Sequence, residues 1–462
     1  MDNPLRSIRI NRPFPIPASV RAAILKLHEH GHVAYLVGGC VRDFLLHRPI
    51  KDHDIATSAS PEELIRLFPD GITVGIHFGV LKVPDSERPG EVIEIATFRE
   101  DLEYKDHRHP TAVRFAGMIE DARRRDFTIN ALYFDLKESR VLDTVGGVDD
   151  LRSKHLRAIG VPSDRFKEDA LRLLRAVRFS VALGFEIDPR TLQAIETRAK
   201  LIQKISGERV REELNRMLTG ENPVRAFELL RRTGLLLASV PELESMWGDS
   251  PGYSSETGLP GVTGETGLWK HALRTLNAID RSERYRNPVL GWISIFQEMG
   301  KVLRRPVVSD HWENESAELA QNFGERLRFS GVDLELMKCC LLDQRKFLNV
   351  FSMREATLVR WIREPYFPVL LEFHRASSIA SDGNLVYYEF CRSRWEEERS
   401  RPILPRMIGG QDLIEMGLKP GPYFSGILRE VEDRILESRI TSREQALEFA
   451  LQLATQFEKA NA

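Results

Sequence analysis

Short runs of aliphatic and aromatic residues follow one another between residues 33 and about 145 of the chain. Turn residues and two patches with helical spacing, VRDFLL and PEELIRLF, separate these runs. The runs read VAYLV, GITVGI, GVLKV, EVIEIAT and INALYFDL. Strands that lie close in sequence and are joined by short links are typical of a small, mostly antiparallel sheet. The pattern differs from that of a doubly wound Rossmann fold.

Apolar positions change to a helical period at about Arg165, beginning with DRFKEDALRLLRAVRFSVALGF, and keep it almost to the C-terminus. Residues 249–267 interrupt this period, since their Gly, Pro, Ser and Thr content predicts a loop or linker. The sequence therefore predicts the α+β class: a small N-terminal domain with a mixed, mostly antiparallel sheet, followed by an all-α remainder. Later helices are predicted at 268–280, 287–302, 313–328, 333–343 and 353–363, and from about 366 to the end.

A chain of 462 residues is too long to fold around a single hydrophobic core, so its length suggests roughly two to four domains. The 42% hydrophobic and 29% charged residues are ordinary for a soluble protein. No apolar run reaches about 18 residues and the N-terminus lacks the apolar core of a secretory signal, so we predict a cytoplasmic protein without a membrane partner. The cysteines lack CxxC spacing, which supports neither a disulfide framework nor a zinc ribbon. They are Cys40, Cys339, Cys340 and Cys391.

The formal net charge of -2, from 66 basic and 68 acidic residues, argues against bulk nonspecific binding of nucleic acid. The distribution of charge is less even. Residues 152–216 contain 15 Lys or Arg against 9 Asp or Glu, counted along the sequence. A basic face is one interpretation, and a solvated helical surface is the other.

Asp52 and Asp54, in the stretch YLVGGCVRDFLLHRPIKDHDIAT, are the most informative pair of residues. Two carboxylates one residue apart on an extended segment point to the same face, where they suit a divalent cation. Upstream, Gly38 and Gly39 leave room for backbone to approach a phosphate, and Arg42 supplies a cationic fork. Taken alone, each of these features is usually only a turn or an ion pair. Their order indicates a nucleoside triphosphate bound with Mg²⁺.

A second group of polar residues lies in RRRDFTINAL, residues 123–132. Arg125 and Asp126 precede an apolar segment that enters the core. There an arginine can meet a phosphate, and an aspartate can accept hydrogen bonds from ribose hydroxyls. The alternative is an Arg–Asp salt bridge that caps an element.

A predicted helix carries Arg172, Arg175 and Arg178 on one face. Asp169 next to Arg172 offers an acceptor beside a donor. This arrangement matches the base edges of cytosine and adenine but not those of uracil and guanine, on which the order is reversed. A mismatch would leave buried polar groups unpaired at about 1–3 kcal/mol each. The alternative is an i, i+3 salt bridge on the helix surface.

The ordered series GGCVRD, DHDIAT, TFRED, RHP, RRDFTINAL, EDALRLLRAVRF and ISGERVREEL resembles the motifs of class II tRNA nucleotidyltransferases, the CCA-adding enzymes, and of their poly(A) polymerase relatives. The match spans residues 35 to about 220, with a further likeness in QDLIEMGLKPGPYFSGILREVED. The resemblance implies a catalytic nucleotidyltransferase head (1–150), a helical neck for base selection and RNA binding (151–220), a body with a degenerate HD-like region (221–365) and a tRNA-binding tail (366–462).

The resemblance also implies roles at the triphosphate. Gly39 and Arg42 would hold the triphosphate, and Arg125 would contact the nucleotide. Asp52 and Asp54 would be the catalytic residues and would bind Mg²⁺.

Other roles concern the nucleoside and the RNA. Asp126 would lie near the ribose, and Asp169 and Arg172 would select the base. Arg175 and Arg178 would contact the nucleotide or the RNA end. The family's flexible segment corresponds to residues 98–110, whose presence favours addition of A.

The chain departs from the family pattern in three places. His53 stands between the aspartates where an apolar residue is usual, and we expect it to have a structural role beside a polar neighbour. Gln297 and Glu298 stand where an HD-like region has its His-Asp pair, so we expect neither a metal nor phosphohydrolase activity there. His47 replaces the Gly that commonly follows Leu46.

The sequence thus predicts addition of C and A to the 3′ end of tRNA from CTP and ATP, with Mg²⁺, with release of pyrophosphate and without a template. The predicted partners are tRNA, ATP and CTP, but not DNA, and the oligomeric state stays open. A poly(A) polymerase or an A-adding enzyme on the same scaffold is the alternative, and a catalytically silent RNA-binding protein is a third reading. Glu94 is a further carboxylate that we assign to a strand salt bridge rather than to the metal.

Overall fold

The computed structural model describes residues 5–73, 76–101, 113–247, 265–303, 311–401 and 407–460. The chain divides into two compact units. The first comprises Met1–Glu244 with Arg326–Arg328, and the second comprises Ser245–Glu325 with Phe329–Ala462. The finer division into head, neck, body and tail stays a prediction. Among the described helices, none combines the length and apolar character that a membrane crossing requires.

A seven-stranded sheet forms the centre of the first unit, in the order β1-β9-β8-β2-β3-β5-β4. Every neighbouring pair is antiparallel except β3 and β5, which confirms the mixed, mostly antiparallel sheet. Two further strand pairs, β6-β7 and β10-β11, lie outside it. The strands are β1 Arg6–Arg9, β2 Ala34–Val37, β3 Asp54–Thr57, β4 Val80–Pro84, β5 Val92–Thr97, β6 Arg99–Asp101, β7 Val113–Phe115, β8 Leu132–Asp135, β9 Arg140–Asp143, β10 His155–Leu156 and β11 Glu186–Ile187.

The run GITVGI was wrongly predicted as a strand over the part that the structure describes. Ile72 makes only an isolated bridge to Lys82, and Ile76–Phe78 forms a turn of 3₁₀ helix. The glycines in and after this run weaken a strand, and Gly79 adopts a positive φ of 76°. The edge strand β1 and its partner β9 were not predicted, because their short charged sequences lack an apolar run.

Helices of the first unit connect and cover these strands. They are α1 Ala18–Glu29, α2 Gly39–Leu45, α3 Pro61–Leu67, α4 Met118–Arg123, α5 Gly147–Ser153, α6 Pro162–Glu168, α7 Leu171–Leu183, α8 Pro189–Arg198, α9 Gly207–Leu218, α10 Pro223–Arg232 and α11 Leu235–Ser239. The single helix predicted to contain residues 168–178 is therefore wrong, since it is divided between α6 and α7. At the break Asp169 is extended, and its Oδ1 accepts a hydrogen bond from the Leu171 N–H at 3.1 Å. This local bond competes with continuation of the helix.

The second unit is helical in its described part, as predicted. Its helices are α12 Glu265–Ala278, α13 Pro288–Phe296, α14 Gly300–Leu303, α15 Trp312–Arg326, α16 Gly331–Asp343, α17 Glu355–Ile362, α18 Phe367–Ser381, α19 Val386–Ser400, α20 Gly410–Glu415, α21 Tyr423–Leu436 and α22 Arg443–Ala460. Residues 249–264 of the predicted loop 249–267 lie outside the described part of the chain. Its last three residues belong to α12.

The junction between β2 and α2 brings the glycine turn next to the paired aspartates. Val37, the last residue of β2, lies opposite Asp54, the first residue of β3. Gly38 turns the chain with φ 80° and ψ -129°, and α2 begins directly after it. The ring of Phe44 on α2 meets that of Phe134 on β8 edge to face, with 5.9 Å between centroids. Burial of such a side chain stabilises a fold by about 1.5–3 kcal/mol, which fixes α2 on the sheet.

Candidate active site

A cavity of about 820 Å³ in the first unit is lined by all ten predicted site residues. These are Gly39, Arg42, Asp52, Asp54, Arg125, Asp126, Asp169, Arg172, Arg175 and Arg178. They come from α2, from β3 and the segment before it, from the turn after α4, and from α6–α7. Residues more than 130 positions apart in the sequence thus meet in one place.

Carboxylates form one part of this cavity. Asp54 is partly buried at the start of β3, whereas Asp52 is exposed in the extended segment before the strand. The pKa of Asp54 is raised to about 6, first by burial and then by Glu94 and Asp52, while Arg125 acts in the opposite direction. Glu94 lines the same cavity and also forms the predicted strand salt bridge, with its Oε1 2.9 Å from Lys82 Nζ. His53 has a polar neighbour, since its Nε2 lies 3.2 Å from the Pro15 carbonyl oxygen.

The donor set suits a magnesium ion that is shared with a substrate. Within the described residues, no three His, Cys, Asp or Glu side chains form a ready-made metal site. Mg²⁺ commonly takes only one or two carboxylates and completes its shell with water and phosphate oxygens. The pKa of Asp54 is raised first by burial and then by the neighbouring Glu94, and a bound cation would stabilise its ionised form against both effects. Asp52 and Asp54 therefore fit Mg²⁺.

The glycine turn lies next to two arginines. A Cβ added to Gly38 would lie 3.5 Å from Arg125 Nη1 and 3.7 Å from the Asn130 carbonyl oxygen. Arg42 donates to Asp43 Oδ1 and Oδ2 at 2.9 and 3.0 Å, and to Asn130 Oδ1 at 2.6 Å. These contacts use three of the five guanidinium N–H groups, so donors remain for an anion in the cavity.

Among the described residues, the ion-pair partner of Arg125 is Asp121 rather than Asp126. Its Nη2 donates to Asp121 Oδ2 at 3.1 Å, and Tyr133 Oη donates to the same oxygen at 2.6 Å. Burial raises the pKa of Asp121, but Arg125 and Arg124 outweigh that effect and hold it at about 2. Asp121 therefore stays ionised and anchors Arg125 next to the turn.

Asp126 pairs with Arg175 on α7. Its Oδ2 accepts from Arg175 Nη2 at 2.7 Å and from Nε at 2.9 Å, and its Oδ1 accepts from Asn130 Nδ2 at 3.1 Å. Burial raises the pKa of Asp126, but Arg175 and Asn130 outweigh burial and lower it to about 2.

Asp169 and Arg172 are each fixed by another charged partner. Arg209 Nη2 donates to Asp169 Oδ2 at 3.0 Å. Arg172 Nη1 donates to Glu168 Oε2 at 2.8 Å, and its Nη2 donates to the Arg124 carbonyl oxygen at 2.9 Å. These bonds hold the Asp169 carboxylate, a hydrogen-bond acceptor, and the Arg172 guanidinium, a donor, at the wall of the cavity.

Several cavity residues were not singled out from the sequence. Asn130, Arg209 and Arg216 line the cavity, and Glu213 lies behind it and pairs with Arg178. A signal for Glu213 existed in ISGERVREEL, because this carboxylate shares the buried face of α9 with Val210 and other apolar residues. A charged residue at an apolar position indicates a buried partner.

Two expectations concern other parts of the chain. The predicted flexible segment, residues 98–110, lies outside the described residues from 102 onward. His47 keeps the turn after α2 in the left-handed conformation that a glycine would favour, with φ 56°.

In the part of the second unit that was predicted to be HD-like, Gln297 and Glu298 make contacts within the protein. Gln297 Nε2 donates to Thr275 Oγ1 at 3.1 Å, and its Oε1 accepts from Ser377 Oγ at 3.2 Å. Glu298 Oε2 lies 2.9 Å from His271 Nδ1, and Glu298 also pairs with Lys301. Burial raises the pKa of Glu298, but His271 and Lys301 outweigh burial and hold it at about 2.

The head sheet and the cavity define a nucleotidyltransferase, a class that is generally metal-dependent. Two family models match the chain. "Poly A polymerase head domain" matches residues 34–157, and "Probable RNA and SrmB- binding site of polymerase A" matches residues 184–246.

Similar proteins identify the family. The chain is 33% identical over 432 residues to a CCA-adding enzyme of Pediococcus pentosaceus, covering 92% of this chain and 95% of that one. It is 32% identical over 437 residues to one of Lactococcus lactis, covering 91% and 92%. The solved Bacillus stearothermophilus CCA-adding enzyme in complex with CTP superposes with a TM-score of 0.67 at 28% identity, covering 98% and 100%. The chain belongs to the family of CCA-adding enzymes.

Proposed function

We propose that this chain adds C and A to the 3′ end of tRNA, using CTP and ATP, releasing pyrophosphate and requiring no nucleic-acid template. One observation carries the proposal: the paired aspartates, the arginines and the Asp169 and Arg172 pair line a single cavity. Membership of the CCA-adding family supports it, as does the similarity to a relative described in complex with CTP.

In the proposed reaction, the terminal 3′ hydroxyl of the RNA attacks the α-phosphorus of CTP or ATP in line. A phosphodiester bond forms and pyrophosphate leaves. Asp52 and Asp54 would hold Mg²⁺, which when bound lowers the pKa of the attacking hydroxyl and neutralises charge on the phosphoryl oxygens. The free donors of Arg42 and the backbone at Gly39 would bind the triphosphate.

The nucleoside would lie toward α7. Asp126 would lie near the ribose. Its carboxylate accepts four hydrogen bonds, from Arg175 Nε and Nη2, from Asn130 Nδ2 and from the Phe127 N–H, so a ribose hydroxyl would replace one of these donors. Asp169 would accept from the exocyclic amine of C or A, and Arg172 would donate to the adjacent ring nitrogen. Because Arg209 and Glu168 hold this pair rigidly, a base with the reversed order would lose both bonds.

An incorporation assay tests this function. The protein is incubated with Mg²⁺ and tRNA transcripts that end before CCA, after C, or after CC, with each labelled nucleotide supplied singly. We expect C on the first two transcripts and A only on the third. Asp52→Asn provides the inactive control.

Two outcomes of this assay would contradict the proposal. Long A tails on a generic RNA would identify a poly(A) polymerase. No incorporation into any transcript would identify a silent RNA-binding scaffold.

A further inference from the structure

His53 separates the two aspartates of the cavity, and its imidazole ring is bonded to a distant part of the chain. It is 8% exposed, whereas Asp52 is exposed and Asp54 is partly buried. The His53 Nε2 lies 3.2 Å from the Pro15 carbonyl oxygen. Because a carbonyl oxygen only accepts, Nε2 carries the hydrogen and donates it. This bond joins His53 to the segment that precedes α1.

The other ring nitrogen of His53 shows that packing alone does not explain a histidine at this position. His53 Nδ1 is buried and has no hydrogen-bond partner among the described residues. An unpaired buried polar atom costs free energy, and an aliphatic side chain in the same place would avoid that cost. The histidine therefore differs from an aliphatic residue chiefly in the bond that it donates to Pro15.

The proline segment, residues 12–17, is stiff and is anchored to the head sheet. It reads RPFPIP, and each proline fixes its own φ and restricts the residue before it. The ring of Phe14 stacks on that of Phe44 on α2 with 4.3 Å between centroids, and lies 4.8 Å from that of Phe134 on β8. Arg12 lies over the Phe44 ring and donates to the Phe44 carbonyl oxygen. A side chain bonded to this segment is therefore bonded to a fixed part of the fold.

The two aspartates differ in how the sheet holds them. Asp54 is the first residue of β3 and lies opposite Val37 in the ladder between β2 and β3. Asp52 is exposed in the extended segment before the strand, so this ladder does not include it. The direction of its carboxylate depends on the backbone of the adjacent His53. Groups that restrict the backbone and rotamers of a metal ligand raise the affinity of the site.

We propose that His53 is a positioning residue: through its bond to Pro15 it fixes the backbone between the aspartates, so that the carboxylates of Asp52 and Asp54 reach the same divalent cation. The inference rests on the proposed function, because that function requires a cation between these carboxylates. His53 also lines the cavity, but in this role it contacts neither the cation nor the nucleotide.

Manganese binding to the full chain tests this role without turnover. Mn²⁺ replaces Mg²⁺ at carboxylate sites, and the electron paramagnetic resonance signal of free Mn²⁺ measures the bound fraction. We expect His53→Leu to weaken Mn²⁺ affinity about tenfold, the lower end of the effect of residues that orient metal ligands. His53→Gln keeps a donor of similar reach and should stay within about twofold of the parent. Asp52→Asn defines the part of the binding that belongs to the paired aspartates.

His28 provides a matched control, because its Nε2 makes the same kind of contact elsewhere in the first unit. It lies on α1, 3.2 Å from the carbonyl oxygen of Ala34 on β2. Neither residue belongs to the described lining of the cavity. His28→Leu removes one such contact and should keep Mn²⁺ affinity within about twofold of the parent, whatever its effect on stability.

A change in the proline segment tests the same bond from its other end. Pro15→Gly keeps the carbonyl oxygen but removes the fixed φ, so the acceptor is held less firmly. We expect this variant also to weaken Mn²⁺ affinity. In a His53→Leu background it should have no further effect, because the bond through which it acts is gone. Pro15→Gly remains informative if His53→Leu fails to fold.

A folded His53→Leu variant with the Mn²⁺ affinity of the parent would overturn the positioning role. An equal loss in His53→Gln or in His28→Leu would also overturn it, since the first keeps the donor and the second lies elsewhere. If the parent binds Mn²⁺ no better than Asp52→Asn, the proposed metal site fails and the positioning role fails with it. A negative result for His53 alone leaves the metal site in place, so the two failures are distinguishable.

Discussion

Asp54 combines burial with neighbouring negative charge, and this combination makes metal binding sensitive to pH. With a pKa of about 6 in the metal-free protein, its carboxyl is protonated below that pH. A proton competes with Mg²⁺ for the same oxygens, so Mg²⁺ affinity should fall as the pH drops through 6.

We therefore expect the rate of incorporation at low Mg²⁺ to rise about tenfold per pH unit below pH 6 and then to level off. High Mg²⁺ should move the midpoint to lower pH, because the cation stabilises the carboxylate. A pH–rate profile at two Mg²⁺ concentrations measures this. If the midpoint stays the same at both Mg²⁺ concentrations, Asp54 does not bind the metal.

Base choice is also decided at the scale of single residues. Asp169→Ala or Arg172→Ala should reduce the preference for C and A over U and G, because one of the two matched hydrogen bonds is lost. The expected change in the ratio of kcat/KM values is on the order of 10- to 100-fold, equivalent to about 1–3 kcal/mol. Asp164→Ala, an exposed carboxylate on α6, is the control. If Asp169→Ala and Arg172→Ala both keep the preference for C and A over U and G, Asp169 and Arg172 do not select the base.

At the scale of elements, the break between α6 and α7 is a feature that could not be predicted from the sequence. Apolar Phe166, Ala170 and Leu174 are spaced four residues apart and keep a helical period across the break, so periodicity alone predicts one helix. The break depends on a hydrogen bond from the Leu171 N–H to Asp169, and aspartates also occur inside helices. Glycine and charge patterns, together with the family resemblance, led to the ten predicted site residues, which line one cavity while their individual roles stay predictions. Glu213 was missed because its role depends on arginines from another helix.

The turn between β2 and α2 gives a prediction for one element. Gly38 has φ 80° and ψ -129°, a conformation that other residues adopt only with strain. Gly38→Ala should lower the free energy of unfolding by about 1–3 kcal/mol, measured by urea unfolding. The control is Gly331→Ala at the start of α16, where an added Cβ meets nothing within 4 Å. Equal stability of the Gly38→Ala variant and the parent would contradict the strained turn.

At the scale of the whole molecule, each of the two compact units contains a carboxyl group whose pKa is held at about 2. Asp121 and Asp126 lie in the first unit and Glu298 in the second. A pKa below the ordinary value adds stability above pH 4 to 4.5, the range in which the unfolded chain titrates. That stability is lost as the pH falls toward 2.

We expect the protein to unfold in acid between about pH 4 and pH 2, as followed by circular dichroism. Glu298→Gln should weaken the acid dependence and lower stability at neutral pH, since it leaves Lys301 with a neutral partner. Asp164→Asn, at an exposed position, should change neither. An acid transition of Glu298→Gln identical to that of the parent would contradict this assignment.

The most direct test of the whole account is a crystal structure of the protein with CTP and Mg²⁺. We predict a cation at about 2.0–2.1 Å from carboxylate oxygens of Asp52 and Asp54, shared with the triphosphate. We also predict Arg42 on the phosphates and the cytosine edge against Asp169 and Arg172. CTP bound outside the cavity, or both aspartates turned away from the cation, would contradict it.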